Sequence, residues 1–272
     1  MVLNLYTTRD DVKVRAGLPD TDDDGILDAV LLSVSRQIDA WCGRHFYTVL
    51  GTRYFTSSRT GDIFLPDLVS VTSLKTDTAG DRTYATTWAA TDYDLEPANA
   101  AHSSPPGPYW QIRTAPGGSY GLLTSARGVQ IVGRWGYSDV LQTSTATLAE
   151  DLEAGETAVD VSSGPAFKAG QVVEIDSERM EIQSIATNTL NVERAVNGTT
   201  AAVHTSGAAI RVATFPIVGE AALHQALLEY RASTSAPLGV EGSPEYGQVI
   251  RAVGLHPFVR NMLQPFRVPM IG

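Results

Sequence analysis

DDDGILDAVLLSVSRQIDAWCGRHF, residues 22–46, is the segment around which the rest of this chain can be arranged. Five of its apolar residues recur at intervals of four and three, which is the spacing of one face of an α-helix. They are Leu27, Leu31, Val34, Ile38 and Trp41. Three aspartates precede this stripe, where they can cap free backbone amides, and a glycine follows it. The segment predicts a long amphipathic helix that forms one wall of a hydrophobic core.

The composition indicates a globular chain of more than one module. Of its 272 residues, 43% are hydrophobic and 18% are charged, enough apolar material for one large core or two ordinary ones. The formal net charge is -10, from 20 basic and 30 acidic residues. This balance argues against a protein that gains affinity by neutralising phosphates, so we expect DNA not to be gripped.

A single cysteine, Cys42, lies on the flank of the apolar stripe and cannot form an internal disulfide. We interpret it as a small buried apolar residue and not as a nucleophile. The chain opens without the pattern of a signal peptide, and it contains no run of about 18 apolar residues. The sequence therefore predicts neither secretion by that route nor a membrane span.

Helical patterns occur near both ends of the chain, and short β-branched and aromatic runs fill the middle. Thr8 can cap a short helix that ends at Gly17, and a second apolar helical stripe follows Pro216. Residues 48–137 have the pattern of a compact sheet, and residues 143–214 have that of a separate small β-barrel or sandwich. We therefore predict an α+β fold in which long amphipathic helices form the core, accompanied by a β-sheet region and an inserted all-β domain.

The corresponding domain boundaries follow from these changes in pattern. Residues 1–142 and 215–254 form the predicted helical and β core, and residues 143–214 form the inserted β-module. Residues 255–272 form a proline-containing tail with apolar, aromatic and arginine side chains, a composition suited to docking on a partner. The candidate docking residues are Phe258, Arg260, Met262, Leu263, Phe266 and Arg267. The alternative is that this tail folds back over its own subunit.

Two motifs that resemble functional sites fail on their context. Asp20–Gly25 matches the first half of a calcium-binding loop, but the twelfth position, which must supply a bidentate glutamate, is Leu31. Gly117-Gly118-Ser119-Tyr120-Gly121 matches the pattern around a hydrolase serine, but Pro116 precedes it and a turn replaces the required strand and helix. We interpret the first as a capping cluster and the second as a hairpin loop.

The remaining candidates for chemistry are dispersed. The five histidines, His45, His102, His204, His224 and His256, lie far apart in the sequence. No His, Cys and carboxylate cluster has metal-ligand spacing, and no glycine-rich loop has the pattern that cradles phosphate. The sequence predicts no catalytic residue, no metal site and no cofactor, and thus a protein that is not an enzyme.

Several segments, taken in order, resemble the helical head-tail connector, or adaptor, proteins of tailed bacteriophages. The resemblance covers about three quarters of the chain and omits the insert, which looks like a β-module found among phage structural proteins. The segments are Thr8-Arg9-Asp10-Asp11-Val12-Lys13, Trp41-Cys42-Gly43-Arg44-His45-Phe46, Leu65-Pro66, Val69-Ser70-Val71-Thr72-Ser73-Leu74, Gly133-Arg134-Trp135-Gly136-Tyr137, Glu229-Tyr230-Arg231 and Leu263-Gln264-Pro265-Phe266-Arg267.

This resemblance implies a structural virion protein that takes part in tail assembly after genome packaging. Such proteins form a ring of about twelve subunits beneath the portal, in the neck of the virion, and are assembled in the host cytoplasm. The implied partners are the portal protein, a stopper or tail-completion protein and further copies of the chain, with double-stranded DNA passing through unbound. An acidic lumen would repel the phosphates of that DNA.

Two alternatives to the adaptor interpretation remain at this point. In the first, the chain is another head or tail-tube component whose β-module contacts the host surface or its glycans. In the second, it is a hydrolase that uses Ser119.

Overall fold

A computed structural model describes residues 2–57, 62–103, 106–138, 140–235, 240–241, 249–250 and 254–268. The chain divides into two compact units. The first unit comprises residues 1–44, 140–196 and 200–272, and it contains the helices together with one six-stranded sheet. The second unit comprises residues 45–139 and 197–199, and it contains the other six-stranded sheet.

Four α-helices belong to the first unit: α1 (Arg9–Ala16), α2 (Asp24–Cys42), α3 (Pro216–Ser235) and α4 (Pro257–Leu263). Helix α1 has the predicted bounds, because Thr8 and Asp11 form a reciprocal capping box and Gly17 ends the helix in the left-handed conformation. Helix α2 buries Leu27, Leu31, Val34 and Ile38 of the predicted apolar face and leaves Trp41 partly exposed. It ends at Gly43, which is also left-handed. Helix α3 lies where the second stripe predicts it.

The start of α2 differs from the prediction. Asp23 occupies the capping position, but its side chain makes no capping hydrogen bond. Its carboxylate instead accepts a hydrogen bond of 2.6 Å from the Tyr230 hydroxyl of α3. The neighbouring Asp24 forms an ion pair with Lys13 of α1, with 2.7 Å between Nζ and Oδ1. The aspartates thus join α2 to two other helices, and they do not cap its backbone.

The second unit is built on one long strand. Its strands are β1 (Val49–Phe55), β2 (Asp62–Thr76), β3 (Thr86–Thr87), β4 (Tyr93–Glu96), β5 (Tyr109–Thr114) and β6 (Val129–Trp135). The antiparallel order is β1-β6-β2-β5-β4, with β3 paired to β2, so the sheet is open and ends at β1 and β4. Its core includes Leu68 and Leu74 of β2 and Trp135 of β6, whose indole N–H donates to Gly51.

The sheet of the first unit closes on itself. Its strands are β7 (Leu141–Thr147), β8 (Ala158–Asp160), β9 (Val172–Ile175), β10 (Glu178–Ala186), β11 (Thr189–Glu193) and β12 (Ala209–Ala213). The antiparallel order runs from β7 through β12, β9, β10 and β11 to β8. A further antiparallel bridge joins Leu148 to Val161, directly after the two end strands β7 and β8. The six strands therefore surround one apolar core as a small barrel. A separate pair, β13 (Val240–Glu241) and β14 (Val249–Ile250), completes the described strands.

The predicted fold class, α+β with a core of long amphipathic helices, is wrong. The described residues contain more strand than helix: two antiparallel six-stranded sheets, each with its own hydrophobic core, and four α-helices, of which only α2 and α3 are longer than eight residues. The helical stripe of residues 22–46 is real, but α1 and α4 contain only eight and seven residues. Among the described residues, more of the buried apolar side chains lie on strands than on helices.

The N-terminal segment contacts the barrel within the first unit. The backbone N–H of Leu3 donates to both carboxylate oxygens of Glu181, at 2.9 and 3.1 Å. Lys168 forms an ion pair with Asp11 of α1. The barrel and the helices therefore share direct polar contacts, and the independent folding of residues 143–214 stays a prediction.

One glycine of the barrel tests how closely its turns pack. A Cβ at Gly164 would lie 1.8 Å from the carbonyl oxygen of Thr187, so the Gly164→Ala variant forces two backbone segments apart. We expect the free energy of unfolding to fall by about 2 kcal/mol or more, measured by urea denaturation. The matched control is Gly155→Ala, where a Cβ meets nothing within 4 Å. Equal stabilities of the two variants would contradict this packing.

Candidate functional site

The predicted docking tail forms a short helix and one further turn. Pro257 occupies the first turn of α4, and the His256 side chain accepts a hydrogen bond of 3.2 Å from the backbone N–H of Phe258. The backbone N–H of His256 donates to Gln225 of α3 at 2.9 Å. These contacts fix the start of the tail against α3.

The six candidate docking residues separate into two groups. Leu263 and Phe266 are buried, together with Leu255 and Val259, and they pack within the first unit. Phe258 is 53% exposed and meets the ring of His224 edge to face, with 5.3 Å between the ring centroids. Met262, Arg260 and Arg267 are partly exposed. Described residues of the tail thus fold back on their own subunit and still present an aromatic ring and two arginines to solvent.

The two arginines meet at the end of α2. The guanidinium carbons of Arg260 and Arg267 lie 5.0 and 4.6 Å from the centroid of the Trp41 ring, within the range of cation–π attraction. The backbone N–H of Val268 donates to the Cys42 carbonyl at 2.9 Å, which holds the chain beside the last turn of α2. Free carbonyls at a helix C-terminus also favour nearby cations. We call Trp41, Arg260 and Arg267 the Trp41 cluster.

A second exposed feature lies on the open sheet of the other unit. Phe64 of β2 and Trp110 of β5 are 66% and 47% exposed. Their rings are parallel, with 1° between the planes and 6.2 Å between the centroids. Large aromatic groups exposed together are typical of contact surfaces. The exposure of Phe64 could have been predicted from one signal: Ile63 and Leu65 flank it, and strand alternation turns its side chain to the opposite face of the sheet.

The barrel contains a network of buried charges that the sequence did not reveal. The Nδ1 and Nε2 atoms of His204 lie 2.7 Å from an Asp176 carboxylate oxygen and 2.9 Å from a Glu178 oxygen. Arg194 donates to both oxygens of Glu178, at 2.6 and 2.7 Å, and reaches the backbone carbonyls of Glu153 and Glu156. The backbone N–H groups of residues 195 and 202 also donate to Glu178. The network ties three loops of the barrel together.

The charge on Glu178 is stabilised despite its burial. Burial raises the pKa of this carboxyl, but the hydrogen bonds from Arg194, His204 and the backbone outweigh it and lower the pKa to about 2. The side chain is shielded from solvent, and both of its oxygens already accept hydrogen bonds from within the barrel. We assign the network a structural role.

The other residues considered as possible nucleophiles are Cys42 and Ser119. Cys42 is fully buried, and burial raises the pKa of its thiol to about 11, so the prediction of a buried apolar residue is confirmed. Ser119 lies in a loop after β5, and its backbone N–H donates to Asp92. Within the described part of the chain, no group of three His, Cys, Asp or Glu residues could hold a metal ion. The described helices include none long and apolar enough to cross a membrane.

The comparisons with known proteins add no relative to this description. No family model, no curated protein and no solved structure matches the chain.

The burial of the tail residues gives a direct test of their roles. Leu263→Ala should lower the free energy of unfolding by about 2–5 kcal/mol, because the buried side chain leaves a cavity. Phe258→Ala should change it by less than about 1 kcal/mol, because the ring is mostly exposed. Urea denaturation of both variants measures the difference. A larger loss of stability for Phe258→Ala than for Leu263→Ala would contradict the burial of Leu263 and the exposure of Phe258.

The buried carboxylate predicts a specific dependence of stability on pH. The pKa of Glu178 is about 2 in the folded protein, below the ordinary value of 4.5, so its stabilising effect is complete above 4.5 and is lost as pH falls towards 2. Glu178→Gln should lower stability at pH 7 by about 3–5 kcal/mol and should weaken the pH dependence in that window. Urea denaturation at pH 7 and pH 3 measures both effects. Glu153→Gln, on an exposed residue of the same barrel, is the control and should behave as wild type.

Proposed function

We propose that this chain is a structural protein of a tailed bacteriophage that connects the portal to the tail, as a head-tail adaptor. It acts by contact and not by catalysis. Copies of the chain form a ring in the neck of the virion, and DNA passes through the ring without being bound. The excess of acidic over basic residues supports this last point, because an acidic surface repels phosphates.

One observation carries the proposal. The segments that resemble the connector family lie far apart in the sequence, yet several of them meet in the first unit. Trp41 of the second segment contacts Arg267 of the last segment, at the end of α2. Tyr230 of a third segment donates to Asp23 at the start of the same helix. The resemblance thus falls in part on residues that contact one another within the first unit, as expected if they serve one role.

The exposed aromatic groups support a role in assembly. Large aromatic side chains are exposed in both units: Phe258 in the first, and Phe64 and Trp110 in the second. Their exposure does not stabilise a monomer, and exposed apolar groups of this kind often mark contact surfaces. Aromatic and arginine side chains are also those that most often supply the binding energy of protein interfaces. An adaptor needs surfaces for the portal, for the tail and for neighbouring copies.

The adaptor proposal predicts assembly that depends on the portal. The purified chain should be monomeric or polydisperse at low concentration, and should form rings when mixed with the portal protein of the same virus. Native mass spectrometry and class-averaged electron micrographs measure the two states.

A stable closed dimer under both conditions would contradict the proposal. Assembly into tubes without portal binding would instead favour a tail-tube component. Phe258→Ala serves as a comparison in both experiments, because it removes an exposed ring and leaves the buried residues of the tail unchanged.

A further inference from the structure

The two cations of the Trp41 cluster have no anionic partner within the described part of the chain. Among the described residues, neither Arg260 nor Arg267 forms an ion pair, whereas other arginines do, such as Arg9 with Asp24, Arg15 with Glu220 and Arg194 with Glu178. Arg53 and Arg127 also stack on aromatic rings without an ion pair to any residue that the structure describes. The Trp41 cluster differs from them because two such guanidinium groups lie over one ring.

The same cluster contains buried donors without acceptors. The indole Nε1 of Trp41 and the guanidinium Nε of Arg260 are both shielded from solvent, and neither has a hydrogen-bond partner. A buried N–H without an acceptor costs about 1–3 kcal/mol, so such groups are rare unless a partner completes them. Two orphaned donors in one cluster point to a missing acceptor that also carries negative charge.

We infer that Trp41, Arg260 and Arg267 form a binding site for the carboxylates of an acidic protein segment. The inference rests on the proposed function, and it names the chemistry of the partner surface that the tail contacts. Arginine recognises a carboxylate through paired N–H donors, and stacking on Trp41 holds the planar groups in place before binding.

A protein carboxylate fits this site better than a nucleic-acid phosphate. Affinity for DNA comes from neutralising many phosphates along the duplex, and a net charge of -10 opposes the approach of such a polyanion. An acidic protein segment carries only a few negative charges, and two of its carboxylates can bind Arg260 and Arg267. The site therefore takes a short run of aspartate or glutamate.

The test uses the full chain and a hexaglutamate peptide as the probe. Isothermal titration at low salt should detect binding to the wild type, and Arg260→Gln/Arg267→Gln should weaken it about tenfold or more. The matched control is Arg15→Gln/Arg113→Gln, which removes the same charge from two other exposed arginines and should change binding less than twofold. Thermal melts verify that both variants are folded.

A second readout reports on the orphaned indole. In a proton–nitrogen NMR spectrum, the Trp41 indole resonance, identified by its absence in Trp41→Phe, should shift when the peptide is added. The inference would be overturned if the peptide caused neither binding nor a shift of this resonance, or if the two double variants lost equal affinity for the peptide. It would also be overturned if Arg260→Gln/Arg267→Gln lost affinity for a DNA duplex and not for the peptide. Because the probe needs no portal, failure of this site and failure of the adaptor proposal are distinguishable.

Discussion

A buried carboxylate has to be matched by donors and cations, and in the barrel this requirement determines how the loops are arranged. Glu178 is surrounded by Arg194, His204 and two backbone N–H groups, and Arg194 extends the network to the loop before β8. Removing any partner would leave a charge in a poorly polarisable interior, which costs more than the pair contributes. The six strands alone would tolerate several loop conformations, whereas the network selects one. The barrel is thus specified by charge pairing as well as by its apolar core.

Local signals in the sequence were enough to place α1, α2, α3 and most strands, but not α4, which lies in the segment predicted to be a docking tail. The capping residue Thr8, the glycines after α1 and α2, and the stripe on α2 each act within one or two turns of helix, so they can be recognised without knowing the fold. The fold class required knowledge of which strands pair, and pairing depends on contacts between distant residues. The apolar stripe of α2 does not determine the fold class, because one helix carries no information about how many strands the rest of the chain forms. The order β7-β12-β9 could not be read from spacing.

The sequence suggested candidate docking residues but not their arrangement, and their docking role stays a prediction. The tail composition gave no means of separating Phe258 and the two arginines, which are exposed or partly exposed, from Leu263 and Phe266, which are buried. Trp41 was expected only as the last residue of an apolar stripe. Its contact with arginines more than two hundred positions later depends on how the tail folds back to the end of α2, which no local pattern encodes. The partners of His204 were hidden for the same reason.

The contrast between a closed and an open sheet limits how copies of this chain can exchange strands. The barrel has joined its two end strands, so it offers no row of free backbone groups to a neighbour. The open sheet ends at β4, which has only four residues, and at β1, where a Cβ at Gly198 would lie 2.0 Å from the carbonyl oxygen of Leu50. That close approach of Gly198 places another segment of the second unit against the backbone of β1. We therefore expect edge-to-edge pairing of this sheet to be limited by the shortness of β4 at one edge. At the other edge, β1, it is limited by the close approach of Gly198, which a larger side chain would prevent.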